Sequence, residues 1–506
     1  MSRSGAAGAL SAAAAATLLA LALAIPAAAD APAGGLGAAV LARLARAGGP
    51  LPADRAVAVR FVGTLELEGH YSRPHEVNRF HSVRRIAIAA PGIARQDWTT
   101  WSDDDTTRST ETTLLLPGRV LVRDEEGGTY QELAGRSAAQ AAYAIYTAAP
   151  ALAAARALQA NGRGLAGGPR TSTLSIYDWP DSIGRVQVYL DAFDQPTAWT
   201  TFIAEPRLGS LTQNVNYYAC GSLGERVWPD SLRSEGLPEG ATWILREGRA
   251  GGEEPVALAE LAAPGHVEPA PAPADTVPRV VAVSPGVWAV ELADADTRSL
   301  AVEFAHELVL LESSCDVPHG ERIRAALRER FPRKPVRRVA FSHYHPDYTG
   351  GLRAFLADSV RVVCPGALAG FVQEIAHQNF TVSPDRLARS HPGGVNALVD
   401  TLVAGRWSVS DATNELVAID IGALSHHTDH YVIFWLPRAR LLFEGDLGYF
   451  TSNGAVRASR RAAGLLQAVD DAHLDPLTVI QSWPVRGNPP SLPFAKLREL
   501  AAAAKQ

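Results

Sequence analysis

Residues 341–351 read Phe-Ser-His-Tyr-His-Pro-Asp-Tyr-Thr-Gly-Gly. Two histidines stand two apart, with an aspartate two further on, directly after the apolar run Val339, Ala340, Phe341. A strand that ends there and turns into a loop presents His343, His345 and Asp347 together at its C-terminal edge. Neutral imidazole is the usual nitrogen ligand of Zn²⁺. A carboxylate beside it can take a second metal or orient a metal-bound water. A lone histidine is more often structural, but an HxHxD followed by Gly-Gly is hard to account for by packing, and it predicts a metal site. Two downstream stretches extend the pattern. Ala423-Leu-Ser-His426-His427-Thr-Asp429-His430-Tyr431 falls between two apolar runs, and Phe443-Glu-Gly-Asp446-Leu-Gly follows another. Ligands commonly come from loops held by rigid elements, so three loops after three strands offer His343 and His345, then His427, then Asp446.

The elements that must position these residues read as a mixed α/β pattern from Val280 onward. Strands are predicted at Val287–Leu292, Leu300–Phe304, Leu308–Leu311, Val336–Phe341, Val360–Cys364, Glu415–Ile421, Tyr431–Leu436, Leu441–Phe443 and Leu477–Ile480. Pro437-Arg-Ala-Arg440 makes a hairpin turn. Helices are predicted at Gly320–Phe331, with Ile323, Leu327 and Phe331 spaced by four, and at Gly350–Ala357, Gly366–Gln378 and Arg460–Leu474. This alternation argues for layered α/β architecture. Upstream, from about Ala56 to Leu245, runs rich in Val, Thr, Tyr and Trp are broken by Gly, Pro and Asp, as in an antiparallel sheet. Examples are Val57–Leu67, Thr112–Val122, Thr171–Tyr177, Val186–Asp191, Ala198–Ala204 and Thr242–Leu245. An Ala-rich helix is predicted over Ser137–Gln159 and a short one over Leu36–Arg46. The aromatics of this half, among them Trp98, Trp101, Trp199 and Tyr217, read first as strand residues and second as the lining of a cleft for a greasy ligand. His70, His75 and His81 have no metal-ligand spacing and read as surface or structural.

Residues 280–485 resemble the metallo-β-lactamase superfamily, the αββα sandwich shared by β-lactamases, glyoxalase-type thioester hydrolases and many other hydrolases. The resemblance is carried in order by Gly286-Val-Trp288, Leu308–Leu311, Ser342–Gly351, His427-Thr ahead of Val-Ile-Phe-Trp-Leu-Pro, and Leu436-Pro-Arg-Ala-Arg-Leu-Leu-Phe-Glu-Gly-Asp446. It implies an α+β chain in which an αββα sandwich follows a mainly antiparallel β domain. It implies that His343, His345 and His427 form a zinc site with an open position, as in catalytic rather than structural zinc. Such a zinc lowers the pKa of its water to about 7 and supplies hydroxide for attack on an ester, thioester, lactone or similar centre. Asp446 matches the aspartate that bridges two metals in the family. Two departures weaken the second site. The residue after the motif aspartate is Tyr348 where the family usually has histidine, and the final turn reads Gln481-Ser-Trp483-Pro-Val without one. Of the usual second-site ligands Asp347 and Asp446 remain, and tyrosine, with a pKa of about 10, is a poor zinc ligand. One zinc is therefore expected, with the second site incomplete. Asp347 is the expected proton acceptor or water-orienting group, and Tyr348 the expected helper of zinc in oxyanion stabilisation. His426 and His430 read as loop or supporting residues. The N-terminal β domain has a fold-level resemblance to the half-barrel of periplasmic lipoprotein carriers, which brings no site with it.

With 506 residues the chain holds roughly two to four domains. The division expected is a signal peptide at 1–29, a β-rich domain at 36–248, a Pro/Ala-rich linker at 249–278 and the metallo-β-lactamase-like domain at 279–506. Arg3, the apolar stretch Leu10–Ile25 and Pro26-Ala-Ala-Ala-Asp30 have the order of a secretory signal peptide. A periplasmic or secreted protein is expected, without stable membrane insertion once the signal is removed. A net charge of −6 gives no basic stripe for nucleic acid. The partner expected is a small-molecule substrate, and the sequence leaves the oligomeric state open. Three cysteines, Cys220, Cys315 and Cys364, form no CxxC, and their number leaves at least one unpaired. An exported zinc-dependent hydrolase is the leading expectation. The alternative is a periplasmic ligand-binding or accessory protein whose metal domain is not catalytic.

Overall fold

The structure, a computed structural model, describes Ala42 and residues 51–503 except 69–71, 91, 104–107, 125–127, 151–165, 168–173, 179–184, 191–195, 224–225, 238–242, 271–274, 449 and 451–458. The expected signal peptide, nearly all of the Leu36–Arg46 helix and the end of the Ala-rich helix lie outside the described residues. The chain divides into two compact units. The first comprises residues up to Pro271 apart from Glu68–Glu76 and Glu205–Ser210. The second comprises those two segments and everything from Ala272 on.

The first unit is built on one sheet of fifteen strands. From Ala56–Glu68 at its middle the chain meanders through Val77–Ala90, Ile93–Ser102, Arg108–Leu116, Arg119–Asp124 and Tyr130–Leu133. The other half ends in Trp243–Arg249, which pairs antiparallel with Ala56–Glu68. The single strand expected over Thr112–Val122 is in fact a hairpin. Pro117-Gly118 breaks it, with Gly118 at φ +73°, a left-handed conformation that glycine adopts at little cost. The expected linker also differs. Glu254–Val256 pairs with the first strand, Val267–Glu268 pairs with Tyr130–Leu133, and Val256 and Leu261 are buried, because even a Pro/Ala-rich stretch folds onto a sheet once it carries apolar anchors.

The helix Gly135–Ala148 lies against one face of this sheet. Its Ala142, Tyr143, Ile145 and Tyr146 share a core with Phe61, Ile86, Val188, Trp199, Val215 and Leu232. Those partners come from strands spread across much of the sheet, so the sheet curves around the helix. Trp199 is wholly buried and the Tyr217 hydroxyl donates to Thr147 O at 2.6 Å, which makes both of them core residues. Arg84 and Glu247 form a buried ion pair supported by Ser82, which accepts from Trp98 Nε1 at 2.9 Å.

The second unit has two sheets. One holds seven strands in the order Arg279–Ser284, Val287–Leu292, Thr297–Glu303, Leu308–Leu311, Val336–Ala340, Arg361–Cys364 and Leu398–Thr401. The first four run antiparallel, and from Leu308–Leu311 onward neighbours are parallel. The other holds six, Arg406–Ser410, Glu415–Asp420, Val432–Leu436, Leu441–Phe443, Thr478–Ile480 and Leu492–Pro493. Period-two alternation explains why the strands read as unbroken apolar runs. In Val432–Leu436, Val432, Phe434 and Leu436 enter the core between the sheets, while Ile433 and Trp435 face the helices Arg460–Asp471 and Phe494–Ala503. The seven-stranded sheet is covered outside by Val317–Arg330, Arg353–Leu356 and Ala369–His377, which bury Ile323, Leu327, Phe355, Val372 and Ile375. Three cores thus stack four layers, helix, sheet, sheet, helix, as the α+β reading expects.

Two close approaches position the loops that carry the histidines. A Cβ on Gly350 would lie 2.0 Å from Cys315 O, and one on Gly351 would lie 2.7 Å from Ser313 O, so the Gly-Gly after the motif lets the turn at 313–316 pack directly on it. A Cβ on Gly464 would lie 1.7 Å from Leu424 O, and this glycine brings the helix Arg460–Asp471 against the turn Gly422–Ser425 that precedes His427. For Gly464→Ala two effects compete. Helix propensity gains about 1 kcal/mol, and the clash, with backbone that cannot rotate away, costs about 1–3 kcal/mol. A net loss of stability is expected in urea unfolding of the full chain, whereas an unhindered helical glycine would show a gain.

Candidate metal centre

His343 follows the strand Val336–Ala340 by three residues and is followed by the short helix Pro346–Thr349, so the histidines sit where a strand end turns into a helix. His343 and His345 are fully buried and His427 nearly so. Their rings are mutually edge-on, with centroids 4.5–4.7 Å apart. One nitrogen from each falls in a group whose members all lie within 4.8 Å of one another. His343 Nε2 and His345 Nδ1 are 3.0 Å apart, close to the edge of about 3.3 Å that a tetrahedron with 2.0–2.1 Å Zn–N arms requires. His427 Nε2 is buried with no hydrogen-bond partner. A buried polar atom without a partner is costly, and three converging imidazoles with one such nitrogen fit a divalent metal such as zinc.

The surroundings hold these rings in place. Ser342 Oγ lies 2.9 Å from His343 Nδ1, which leaves Nε2 for the centre. The Ser342 amide donates to the buried Glu312 carboxyl at 3.1 Å, and Val432 N donates to Ser342 O at 2.7 Å, tying the two sheets together beside the site. Burial pushes the Glu312 carboxyl well above its usual range. Tyr431 stacks on His343 at 4.7 Å and 19°. The His427 loop turns on His426, at φ 49°, and on Ser425 Oγ, which accepts from the amides of His427 and Thr428.

Asp446 stands beside the histidines, its Oδ2 3.5 Å from His427 Nε2. Tyr431 donates to its Oδ1 at 2.9 Å, and Arg461 Nη1 lies 3.6 Å from Oδ2. Burial would raise its pKa, but the facing imidazoles and the Tyr431 hydroxyl outweigh that and hold the carboxyl well below the usual carboxylate range. Glu444, two residues earlier, is pushed up to about 8 by burial and accepts from Leu447 N at 2.6 Å. Tyr348 is buried over His343, and burial together with the Asp446 charge raises its pKa well above the ordinary phenol value. Asp347 is about half exposed, with Arg207 Nη1 3.9 Å from its Oδ1, and does not join the three-histidine group. His430 pairs with Asp420 at 2.8 Å and is a loop residue.

A cleft of about 250 Å³ opens beside the centre, lined by Ala295, Thr297, Cys315, His345, Asp347, Tyr348, Asp446 and Trp483. Cys315 and Cys364 are free thiols, each pushed up to about 12, mainly by burial, and the side chain of Cys220 lies outside the described residues. In the other unit His81 pairs with Asp103 and stacks on Trp101. His75 bridges Glu68 and Glu374, and His70 lies outside the described residues. Sequence reasoning did not single out Tyr431, Arg461, Glu312 or Cys315. Tyr431 and Cys315 carried only the weak signal of standing at a strand end near a motif. Arg461 comes from a helix, and no spacing links it to Asp446.

The sequence model described as the metallo-beta-lactamase superfamily matches residues 299–480. Among solved structures, the chain is similar to metallo-beta-lactamase FIM-1 from Pseudomonas aeruginosa in a mono-zinc form, at 19% identity over 46% of this chain and 97% of that one, with a TM-score of 0.34. It is also similar to a metallo-beta-lactamase from Pontibacter korlensis, at 17% identity over 45% and 99%, with a TM-score of 0.33. No curated protein matches the chain. The matched residues include both histidine-bearing loops and strands of both sheets, and this C-terminal region of the chain is a metallo-beta-lactamase superfamily domain.

Proposed function

We propose that the C-terminal domain is a metal-dependent hydrolase whose resident ion is one zinc, held by His343, His345 and His427. The observation that carries this reading is the convergence of one nitrogen from each of three buried or nearly buried imidazoles, within 4.8 Å of one another, beside an accessible cleft. When bound, zinc supplies a Lewis acid and a nucleophilic hydroxide at neutral pH. The chain's own groups do the rest. Asp347, accessible in the cleft, takes up or directs the proton of the attacking water. Asp446 is held ionised by its hydrogen bonds and orients His427. Tyr431 fixes Asp446, and Tyr348 and Tyr431, being buried phenols, stay protonated. The substrate class is an ester, thioester, lactone or similar acyl centre. The cleft reaches His345, which supports an enzyme over a non-catalytic accessory protein. The charged, apolar and small-residue order of residues 3–29 supports export to the periplasm or beyond, and no helix among the described residues is long and apolar enough to cross a membrane.

Metal analysis of the purified full chain is expected to give close to one zinc per chain, falling at least tenfold in His343→Ala and His427→Ala. The double variant Tyr348→His/Trp483→His, which restores both missing histidines, is expected to approach two. A wild-type content near two would overturn the one-zinc reading, and full zinc in His343→Ala would overturn the ligand assignment. In a panel of lactone, thioester, phosphoester and β-lactam substrates, zinc-loaded protein is expected to turn over an acyl substrate. Chelation should abolish that turnover and added zinc restore it. Absence of turnover across the panel in zinc-replete protein would sink the hydrolase reading.

A further inference from the structure

The cleft contains the two departures from the family pattern, Tyr348 and Trp483, on one continuous wall with Thr297, Cys315 and Ala295. Trp483 keeps 39% of its surface exposed, although the backbone on either side is pinned. Ser482 N donates to Gly445 O at 2.6 Å, Ser482 Oγ donates to Arg298 O at 2.7 Å, and Val485 N donates to Asp296 Oδ1 at 3.0 Å. A large apolar ring that a pinned turn leaves partly exposed in the lining of the cleft is a contact surface, because covering its exposed part removes apolar area from water. Charge narrows the occupant. Each carboxylate in the wall already faces a cation, Asp347 with Arg207 and Asp446 with Arg461. Among the described residues no lysine or arginine lines the cleft itself, and an anion entering beside Trp483 would meet Asp347. The volume exceeds the roughly 150 Å³ that accommodates a benzene ring.

We propose that this wall is a specificity subsite for an uncharged, flat apolar group of the substrate, such as an aryl or arylacetyl moiety, stacked on Trp483. The proposal rests on the hydrolase reading for its biological meaning, but not for its test. Trp483 is a specificity-determining residue: it contacts the part of the substrate away from the reacting atoms. Aromatic stacking of this kind adds about 0.5–1.5 kcal/mol to area burial, which with the buried area amounts to roughly a tenfold effect or more on affinity.

The test is direct binding of phenylacetamide to the zinc-loaded full chain by saturation-transfer NMR, with phenylacetamide against acetamide as the matched pair. Phenylacetamide is expected to bind, and acetamide to bind at least tenfold more weakly. Trp483→Ala should remove that difference, and Trp483→Phe should retain most of it, with zinc content the same in all three proteins. Equal binding of the pair by the wild type, or a preference that survives in Trp483→Ala, would overturn the subsite. These outcomes are read without turnover, so they are separate from failure of the substrate panel. Where turnover is found, an arylacetyl substrate should lose kcat/KM at least tenfold in Trp483→Ala through KM, while its acetyl counterpart stays unchanged.

Discussion

Everything at the centre depends on keeping one carboxylate ionised in a nearly dry place. Asp446 is close to fully buried, and a buried charge costs several kcal/mol unless it is hydrogen-bonded and paired. Hydrogen bonds to charged groups return about 1.5–3 kcal/mol each. Asp446 has Tyr431 donating, His427 within 3.5 Å and Arg461 at 3.6 Å. Those partners come from the loop before the strand Val432–Leu436 and from the helix Arg460–Asp471. Holding the charge therefore holds the elements together, and it fixes His427 relative to His343. The Tyr431 hydroxyl and the Arg461 guanidinium face that charge, and a cleft opens beside them.

The sandwich supplies the rigidity. Strands apolar on both faces lock the sheets through one core and the helices through two others, so the loops at the strand ends have little freedom. Glycine then sets how near the loops come. Gly350 and Gly351 admit the turn at 313–316 to the motif, and Gly464 admits the turn before His427 to its helix. These are backbone-to-backbone contacts, for which no side-chain rotamer can compensate.

Much of this was legible in the sequence, for reasons that can be named. The strands Val287–Leu292, Leu308–Leu311 and Leu441–Phe443 are short apolar runs bounded by turn residues, and they occur where their pattern puts them. The convergence of the three histidines was legible because HxHxD and His-Thr both stand where apolar runs end and loops begin. Edge strands such as Arg279–Ser284 and Arg406–Ser410 were not, because they alternate weakly and owe their conformation to a partner strand. The hairpin at Pro117-Gly118 was hidden by equally β-prone residues on both sides. The Tyr431–Asp446 hydrogen bond could not be read either, since the two residues meet only after folding. The same holds for Arg461, whose role depends on which face of a helix meets a distant loop.

Three residues flanking the centre, Glu312, Cys315 and His426, adopt left-handed backbone at φ 66°, 67° and 49° without being glycine. Each such position costs about 1–2 kcal/mol against ordinary conformations. Glu312 and Cys315 bracket the turn packed on the motif glycines, and His426 immediately precedes a centre histidine. The domain thus carries a few kcal/mol of backbone strain at the place where its side chains converge. Its overall stability sits below what the same four layers could reach, and the margin left by the three cores sets how much further change the site can accumulate before the fold itself gives way.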